Sequence, residues 1–140
     1  MSDPSAVGGM SVSAFLGDPV ARVGPDASVD VVADLLVSGE VGALVVGDHE
    51  KVDGIVSERD LVRVLAARRD PASTRAIDIA TTELVWCDET ATVGEVATEM
   101  MEQYVRHVLV ERDGDLIGIV SARDLLGAFA AATEVDGGEP

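Results

Sequence analysis

The chain has 140 residues, which is enough for one compact domain or two very small ones, and its 47% apolar fraction is ample for a core. It carries 26 acidic and 10 basic residues, and the formal net charge of −16 at pH 7 repels nucleic acids and anionic membranes. We therefore expect neither a nucleic-acid partner nor a membrane partner.

The sole cysteine, Cys87, excludes a disulfide bond within the chain and favours a reducing compartment. Residues 1–10 lack the basic segment and apolar core of a signal peptide. The longest strongly apolar run, 41–46, is too short to span a bilayer. These features predict a soluble, cytoplasmic protein. The acidic, lysine-poor composition is typical of a salt-adapted cytosol or of a coding bias toward Arg and Ala, which the sequence does not separate.

In chain order, the first half predicts a short helix, a strand, a second helix, a hairpin and a third helix. Residues 1–10 are small and polar and should be flexible. Ser28 is a helix-capping residue, and Gly39 is a helix-ending residue. The predicted elements are a helix over 11–16, an extended segment over 20–23, a helix from Ser28 to Gly39, strands over 42–46 and 52–56, and a helix over 58–68 with Leu61, Val62 and Leu65 on one face.

The second half predicts the same order of elements. Thr92 caps its main helix, and Asp113-Gly114 is a hairpin turn between apolar runs. Residues 133–140 are acidic and Gly-rich and should be disordered. The predicted elements are a helical turn over 77–80, an extended segment over 84–86, a helix after Thr92, strands over 106–110 and 116–120, and a helix over 122–131.

An internal repeat underlies this parallel. The sequence GIVSERDL at 54–61 returns as GIVSARDL at 118–125, 64 residues later and with one change in eight positions. Each half is an α+β unit that is marginal alone, so we expect two tandem β-α-β-β-α repeats packed sheet-to-sheet with pseudo-twofold symmetry. The predicted organisation is a flexible N-terminus over 1–10, a first repeat over 11–69, a linker over 70–75, a second repeat over 76–132 and a disordered acidic tail over 133–140.

The repeated Ser-x-x-Asp lies where a predicted strand runs into a helix. The first backbone N–H groups of a helix lack intrahelical partners and favour anions, so a phosphate would accept from them and from the Ser57 hydroxyl. Asp60, an acceptor when ionised, suits the donor hydroxyls of a ribose. Alternatively, Ser and Asp form a capping box that stabilises the helix by about 1 kcal/mol without any ligand. The two roles can coexist.

The element order, the length and the repeated Gly-Ile-Val-Ser-x-Arg-Asp closely resemble the CBS domain family (cystathionine β-synthase domains), whose tandem pair is called a Bateman module. The resemblance spans about residues 10–132. It implies clefts between the repeats that bind adenosine compounds such as AMP, ADP, ATP or S-adenosylmethionine, with no required cofactor. It also implies that Asp60 and Asp124 hold ribose and that Ser57 and Ser121 approach phosphate.

The two repeats differ in charge just before their second strand. Arg106-His107 resembles the basic residues that family members place against phosphates, whereas the matching pair, Gly42-Ala43, carries no charge. The alternative is that Arg106 faces solvent or a carboxylate while His107 lines the sheet. Further contacts implied by the resemblance are an adenine edge read by backbone groups beside Ile55, Val56, Ile119 and Val120, and apolar cover for a base from Val20 and Leu84.

No catalytic triad, Cys-His pair, Walker sequence or G-x-G-x-x-G pattern is present, so we predict no catalytic residues and no enzyme. His49 has no further ligand at metal-binding spacing, and we predict no metal site. The predicted function is a stand-alone regulatory module that binds an adenosine ligand and signals to an effector protein. The alternative is a dimeric scaffold without nucleotide. A homodimer is implied by the resemblance, through helix faces that carry Leu35, Leu36, Met100 and Met101.

Overall fold

The structure, a computed structural model, describes residues 4–16 and 20–137. The described chain forms two compact units, and each contains one three-stranded sheet. The first unit consists of residues 20–84, and the second unit consists of residues 85–137 together with 4–16. None of the described helices is long and apolar enough to cross a membrane.

The described part of the chain contains six strands and six α-helices. The elements are α1 (Pro4–Gly8), a 3-10 turn (Val12–Phe15), β1 (Arg22–Val23), α2 (Val29–Gly39), β2 (Ala43–Val46), β3 (Gly54–Ser57), α3 (Glu58–Ala66), α4 (Ala76–Ile79), β4 (Trp86–Asp88), α5 (Val93–Gln103), β5 (His107–Arg112), β6 (Asp115–Ser121) and α6 (Ala122–Gly137). The predicted order of strand, helix, strand, strand, helix is confirmed in both repeats.

The two sheets share one topology. The first unit has the order β1-β2-β3, with β1 parallel and β3 antiparallel to β2. The second unit has the order β4-β5-β6, with the same directions. The predicted α+β class with two tandem β-α-β-β-α repeats is therefore confirmed, whereas the sheet-to-sheet, pseudo-twofold packing stays a prediction.

The short helical segment that opens each sequence repeat packs in the unit that holds the other repeat's sheet. The 3-10 turn belongs to the second unit, where the adjoining Ser11 forms a β-bridge with Thr92. Helix α4 belongs to the first unit, where Thr81 forms a β-bridge with Ile55. Each structural unit therefore contains the sheet of one sequence repeat and the short opening helical segment of the other.

Side-chain caps fix where the main helices begin. The Ser28 hydroxyl accepts from the Val31 amide over 3.4 Å at the start of α2, as predicted. At the start of α5, Thr92 Oγ1 accepts from the Glu95 amide over 3.1 Å, and the Glu95 carboxylate accepts from the Thr92 amide over 3.2 Å. Such caps satisfy amides that have no partner within the helix.

Each unit buries one face of its sheet under its helices. In the first unit, the core cluster contains two residues of α2, two of β2 and one each of β1, β3 and α4. The repeat-matched positions build the core of the second unit. Full burial of one such side chain contributes about 1.5–3 kcal/mol. The matched pairs are Val32 and Val96, Leu36 and Met100, Leu44 and Val108, Val46 and Val110, and Val56 and Val120.

Two segments expected to lack structure are helical. Helix α1 covers part of the predicted flexible N-terminus, because Val7 is buried in the core of the second unit. Helix α6 continues to Gly137 through an alanine-rich stretch, since each added residue of a growing helix contributes a hydrogen bond. The predictions for 1–10 and 133–140 are therefore wrong where these helices lie, and residues 1–3 and 138–140 fall outside the described part.

Candidate functional site

The first strand-to-helix junction lies where β3 ends at Ser57 and α3 begins. Asp60 Oδ2 accepts from the Ser57 amide over 2.7 Å and from the Ser57 hydroxyl over 3.0 Å. The Asp60 residue is only 8% exposed, and its Oδ1 lies 3.9 Å from Nη1 of Arg63. The carboxylate is thus anchored in its own turn, and the Ser57 hydroxyl donates to it.

The second junction has the same sequence but a different hydrogen-bond pattern. Asp124 Oδ2 accepts from the Ser121 amide over 2.9 Å, while Ser121 Oγ accepts from the Asp124 amide over 3.0 Å. This reciprocal arrangement is a complete capping box. Asp124 is exposed, and within the described part of the chain its Oδ1 has no hydrogen bond or ion pair. One carboxylate oxygen therefore remains as an acceptor.

The structure brings the basic pair to the second junction. The Arg106 carbonyl accepts from the amide of Ala122, the first residue of α6, over 2.8 Å, and Arg106 is exposed. His107 lies opposite Ser121 in the β5–β6 ladder. The start of α6 therefore combines helix amides, a serine hydroxyl, a carboxylate and two basic residues within neighbouring positions.

The first junction has the same backbone geometry, but the residues that match Arg106-His107 are uncharged. The Gly42 carbonyl accepts from the Glu58 amide over 3.0 Å, and Ala43 lies opposite Ser57 in the β2–β3 ladder. The basic pair Arg106-His107 and the uncharged pair Gly42-Ala43 therefore occupy equivalent positions beside the two junctions. Whether any of these residues contacts a ligand stays a prediction.

On β3, where backbone groups were predicted to read an adenine edge, the backbone of Ile55 is bonded to another segment. The Ile55 amide donates to the Thr81 carbonyl over 3.0 Å, and the Ile55 carbonyl accepts from the Thr81 amide over 2.8 Å. Because ladder bonds alternate between neighbours, the backbone groups of Val56 point to Leu44, its partner on β2. Ile55 is therefore already paired with Thr81, and the reading of an adenine edge by backbone groups beside Ile55 and Val56 stays a prediction.

The remaining predicted contacts are the matched residues of β6, Ile119 and Val120, and the two apolar covers, Val20 and Leu84. Val120 lies opposite Val108 and is fully buried in the core. Its neighbour Ile119 is half-buried, and the residue that matches Thr81 by the repeat falls outside the described part. Val20 and Leu84 are both half-buried in the first unit. The roles of Ile119, Val120, Val20 and Leu84 stay predictions.

An open hollow of about 240 Å³ lies beside Asp60, between α3 and the helix that follows the linker. This hollow was not predicted from the sequence, because its residues come from segments that the sequence does not show to be neighbours. One signal was available, since five of the ten basic residues fall within 59–75. The lining residues are Asp60, Arg63, Val64, Ala67, Arg69 and Ile79.

Cys87 lies in β4, half-buried against the core of the second unit. Desolvation raises the pKa of its thiol to about 11, and the negative charges of Asp88, Glu111 and Glu99 add to the rise. The thiol is therefore protonated at neutral pH and is a poor nucleophile. Across the described residues, no group of three His, Cys, Asp or Glu side chains is placed to hold a metal ion.

Sequence comparison relates both repeats to known proteins. The CBS domain family matches the chain twice, over residues 12–67 and 76–131. Hypoxic response protein 1 of Mycobacterium tuberculosis is 32% identical over 108 residues, which make up 76% of this chain and 76% of that protein.

Solved structures show the same architecture. A CBS domain protein of Pyrobaculum aerophilum complexed with AMP is 30% identical, with a TM-score of 0.73 over 87% of this chain and 99% of that chain. A hexameric CBS-CP12 protein from bloom-forming cyanobacteria is 27% identical, with a TM-score of 0.77 over 84% of this chain and 71% of that chain. The chain therefore belongs to the CBS domain family and carries two of its domains in tandem, the arrangement of a non-catalytic regulatory module.

Proposed function

We propose that this chain binds an adenosine ligand of low negative charge, such as AMP or S-adenosylmethionine, and passes the resulting change to a partner protein. The observation that carries the proposal is the cluster at the start of α6. There, Ser121 and Asp124 cap the helix, and the basic pair Arg106-His107 lies on the adjoining strand.

The capping box and a ligand do not compete for the same atoms of Asp124. The box uses Oδ2, whereas Oδ1 is left to accept from a ribose hydroxyl. Because the amides of Ala122 and Asp124 already donate within the protein, a phosphate on the same ligand would face mainly the exposed Arg106 guanidinium. The net charge of −16 opposes polyphosphates, and this favours AMP or S-adenosylmethionine over ADP or ATP.

The Pyrobaculum aerophilum relative supports the ligand class, since its structure was solved with AMP. We propose that an effector protein receives the signal. A ligand shifts a conformational equilibrium only by its difference in affinity for the two states. The effector must therefore distinguish the liganded from the free form.

Thermal unfolding tests this function. At a ligand concentration 100-fold above Kd, binding adds about 2.7 kcal/mol to the free energy of unfolding, which raises the Tm of a chain of this size by roughly 5–10 °C. We expect AMP or S-adenosylmethionine to produce this rise and ATP a smaller one, whereas adenine, the control that lacks both ribose and phosphate, should produce none. Unchanged melting with AMP, ADP, ATP and S-adenosylmethionine would favour the alternative, a dimeric scaffold with no bound nucleotide.

We further propose that two copies of the chain associate through their helices, as the hexameric relative supports. Exposed apolar residues recur at the 64-residue offset, with Val37 on α2 matching Met101 on α5, and Val62 on α3 matching Leu126 on α6. Such repeated apolar exposure is typical of an interface. Of the residues predicted for this role, Leu36 and Met100 are buried in the cores, so that part of the prediction is wrong.

A charge placed in the proposed helix interface should separate the copies. Met101 is 77% exposed and Leu126 is 70% exposed, so replacing both with Glu leaves each unit folded. At an interface, the new carboxylates would be buried without partners, which is costly. Sedimentation velocity should then show a monomer at concentrations where the parent chain is a dimer. The control is Tyr104→Glu, because Tyr104 is 95% exposed and its repeat-matched residue is Glu40; a double variant that still dimerises would exclude this interface.

A further inference from the structure

We propose that the turn Asp113-Gly114, which joins β5 to β6, is a site of spontaneous covalent modification, where the aspartate isomerises to isoaspartate through a cyclic succinimide. The Gly114 amide nitrogen attacks the side-chain carbon Cγ of Asp113. A C–N bond forms, the Cγ–OH bond breaks, and one water molecule is released. Water then opens the ring at either carbonyl carbon, which gives back aspartate or gives isoaspartate. Nothing is oxidised or reduced, and the atoms of the chain are conserved.

The first argument is the space around the reacting nitrogen. Three Asp-Gly pairs occur in the sequence, at 53–54, 113–114 and 136–137, and the last of them ends α6. Asp113 and Gly114 are both exposed, and a Cβ built on Gly114 would have no neighbouring atom within 4 Å. Gly54 is instead buried in β3, where its Cβ would lie 2.8 Å from the Thr81 carbonyl oxygen. Of these two pairs, the one in the hairpin turn has the room that ring closure needs.

The second argument is that the reacting groups of the turn are not held by other groups. Across residues 4–16 and 20–137, the Asp113 carboxylate and the Gly114 amide take part in no hydrogen bond and no ion pair. At the other pair, the Asp53 amide donates to the Val46 carbonyl over 2.8 Å, and the Asp53 carboxylate lies 3.6 Å from Lys51 Nζ. Reaction at Asp53 therefore requires that β3 opens first, whereas the turn can react within the folded chain.

The third argument is the geometry of the turn. The φ angles of 52° at Asp113 and 87° at Gly114 are those of a type I′ turn. A flip of the peptide plane between them gives a type II′ turn, whose first central residue has ψ of about −120°. At that ψ, the Asp113 Cβ and the Gly114 nitrogen eclipse each other about the Cα–C bond, as a five-membered ring requires. Both turn types suit a two-residue hairpin, so the flip leaves β5 and β6 paired. The flipped form is costly for a residue other than glycine, which makes the modification slow.

The product alters the hairpin but not the charge of the chain. In isoaspartate, the main chain runs through Cβ and Cγ, so the two-residue loop gains one backbone atom while a free carboxylate remains. The longer loop no longer matches the closing pair of the β5–β6 ladder, Arg112 and Asp115. We therefore expect an aged chain to have a lower Tm than a fresh chain, with faster amide hydrogen exchange at the end of β5.

Incubation of the full chain in water enriched in the heavy oxygen isotope, followed by peptide mapping, tests the site. Each passage through the succinimide brings one heavy oxygen into the peptide, and the isoaspartate form is separated from the aspartate form by chromatography. In the folded chain, we expect the Asp113 peptide to accumulate isoaspartate at least about tenfold faster than the Asp53 peptide. In concentrated urea, the two rates should become similar, because both sites have the sequence Asp-Gly.

Asn at position 113 supplies a second measurement, with Asp53→Asn as its matched control. Asn suits the type I′ turn, and ammonia then replaces water as the leaving group. The Asp113→Asn chain should therefore be modified faster than the parent, whereas folded Asp53→Asn should stay intact. Equal rates at the two sites in the folded chain, or a difference that persists in urea, would overturn the inference. Absence of isoaspartate at Asp113 over a period in which the urea-unfolded chain forms it would do the same.

Discussion

Replacing Asp124 with Ala should reduce the AMP-induced rise in Tm that arises at the second junction to about half of its parent value or less, while the fold and the self-association persist. The substitution removes the free Oδ1 that we assign to the ribose, together with the Oδ2 that caps α6. Loss of the cap costs about 1 kcal/mol, which lowers the Tm of the free chain by a few degrees. Loss of a hydrogen bond to a charged acceptor in the complex costs about 1.5–3 kcal/mol, or roughly 10- to 100-fold in Kd.

The chain contains a matched control for the capping contribution. Glu95 occupies the third helical position of α5 and forms the same reciprocal box with Thr92, in the same unit. Glu95→Ala therefore removes the same charge and the same type of cap. It should lower the Tm of the free chain by a similar amount and leave the AMP-induced rise intact. If Asp124→Ala and Glu95→Ala bind AMP equally well, the carboxylate of Asp124 serves the helix alone and the ribose assignment fails.

The local features of both repeats were predictable from the sequence because their physical causes are local. The capping residues Ser28 and Thr92 are recognisable from the residue types that follow them. The turn at Asp113-Gly114 needs two residues with positive φ, and their φ angles of 52° and 87° agree. The repeat then transfers each local assignment from one half of the chain to the other.

What the sequence did not predict depends on packing between distant segments. The pairing of Thr81 with Ile55, which closes the edge of β3, joins residues separated by the whole of α3 and the linker. The apolar face of α3 was likewise placed wrongly: Val64 is buried with Asp60, whereas Val62 and Leu65 are exposed. In so short a helix, the apolar pattern is compatible with burial of either of two faces, and packing against the sheet determines which face is buried.

These nonlocal contacts give the two junctions different chemistry. At the second junction, the basic residues precede the helix, as Arg106-His107 on the neighbouring strand. At the first junction, they follow its start, as Arg63 and Arg69 around the hollow. In both cases one carboxylate is fixed by its own turn while arginines lie beside it. We therefore expect the repeats to hold ligands in different orientations, so that one ligand need not fill both.

The packing of the segment after α4 against β3 makes Gly54 a position where an added methyl group should destabilise the first unit. A Cβ at Gly54 would lie 2.8 Å from the Thr81 carbonyl oxygen and 3.1 Å from the Ala80 Cβ. The obstructing oxygen belongs to the backbone, and it also accepts the hydrogen bond from the Ile55 amide. Relief of the clash must therefore pull Thr81 away from β3 and break that bridge. We expect Gly54→Ala to lower the free energy of unfolding by about 1–3 kcal/mol, the usual cost of overpacking.

The repeat supplies the control for Gly54→Ala at Gly118, the matching position on β6. A Cβ there would lie 2.9 Å from Leu16 Cδ2, which is the end of a flexible side chain and can move aside. Alanine also reduces the entropy of the unfolded chain by an amount worth about 0.4–1 kcal/mol, so Gly118→Ala should change stability by less than about 1 kcal/mol. Urea denaturation of both variants measures the difference. Equal destabilisation would mean that the Thr81 backbone yields as easily as the Leu16 side chain, and that the edge of β3 is not closed by a rigid partner.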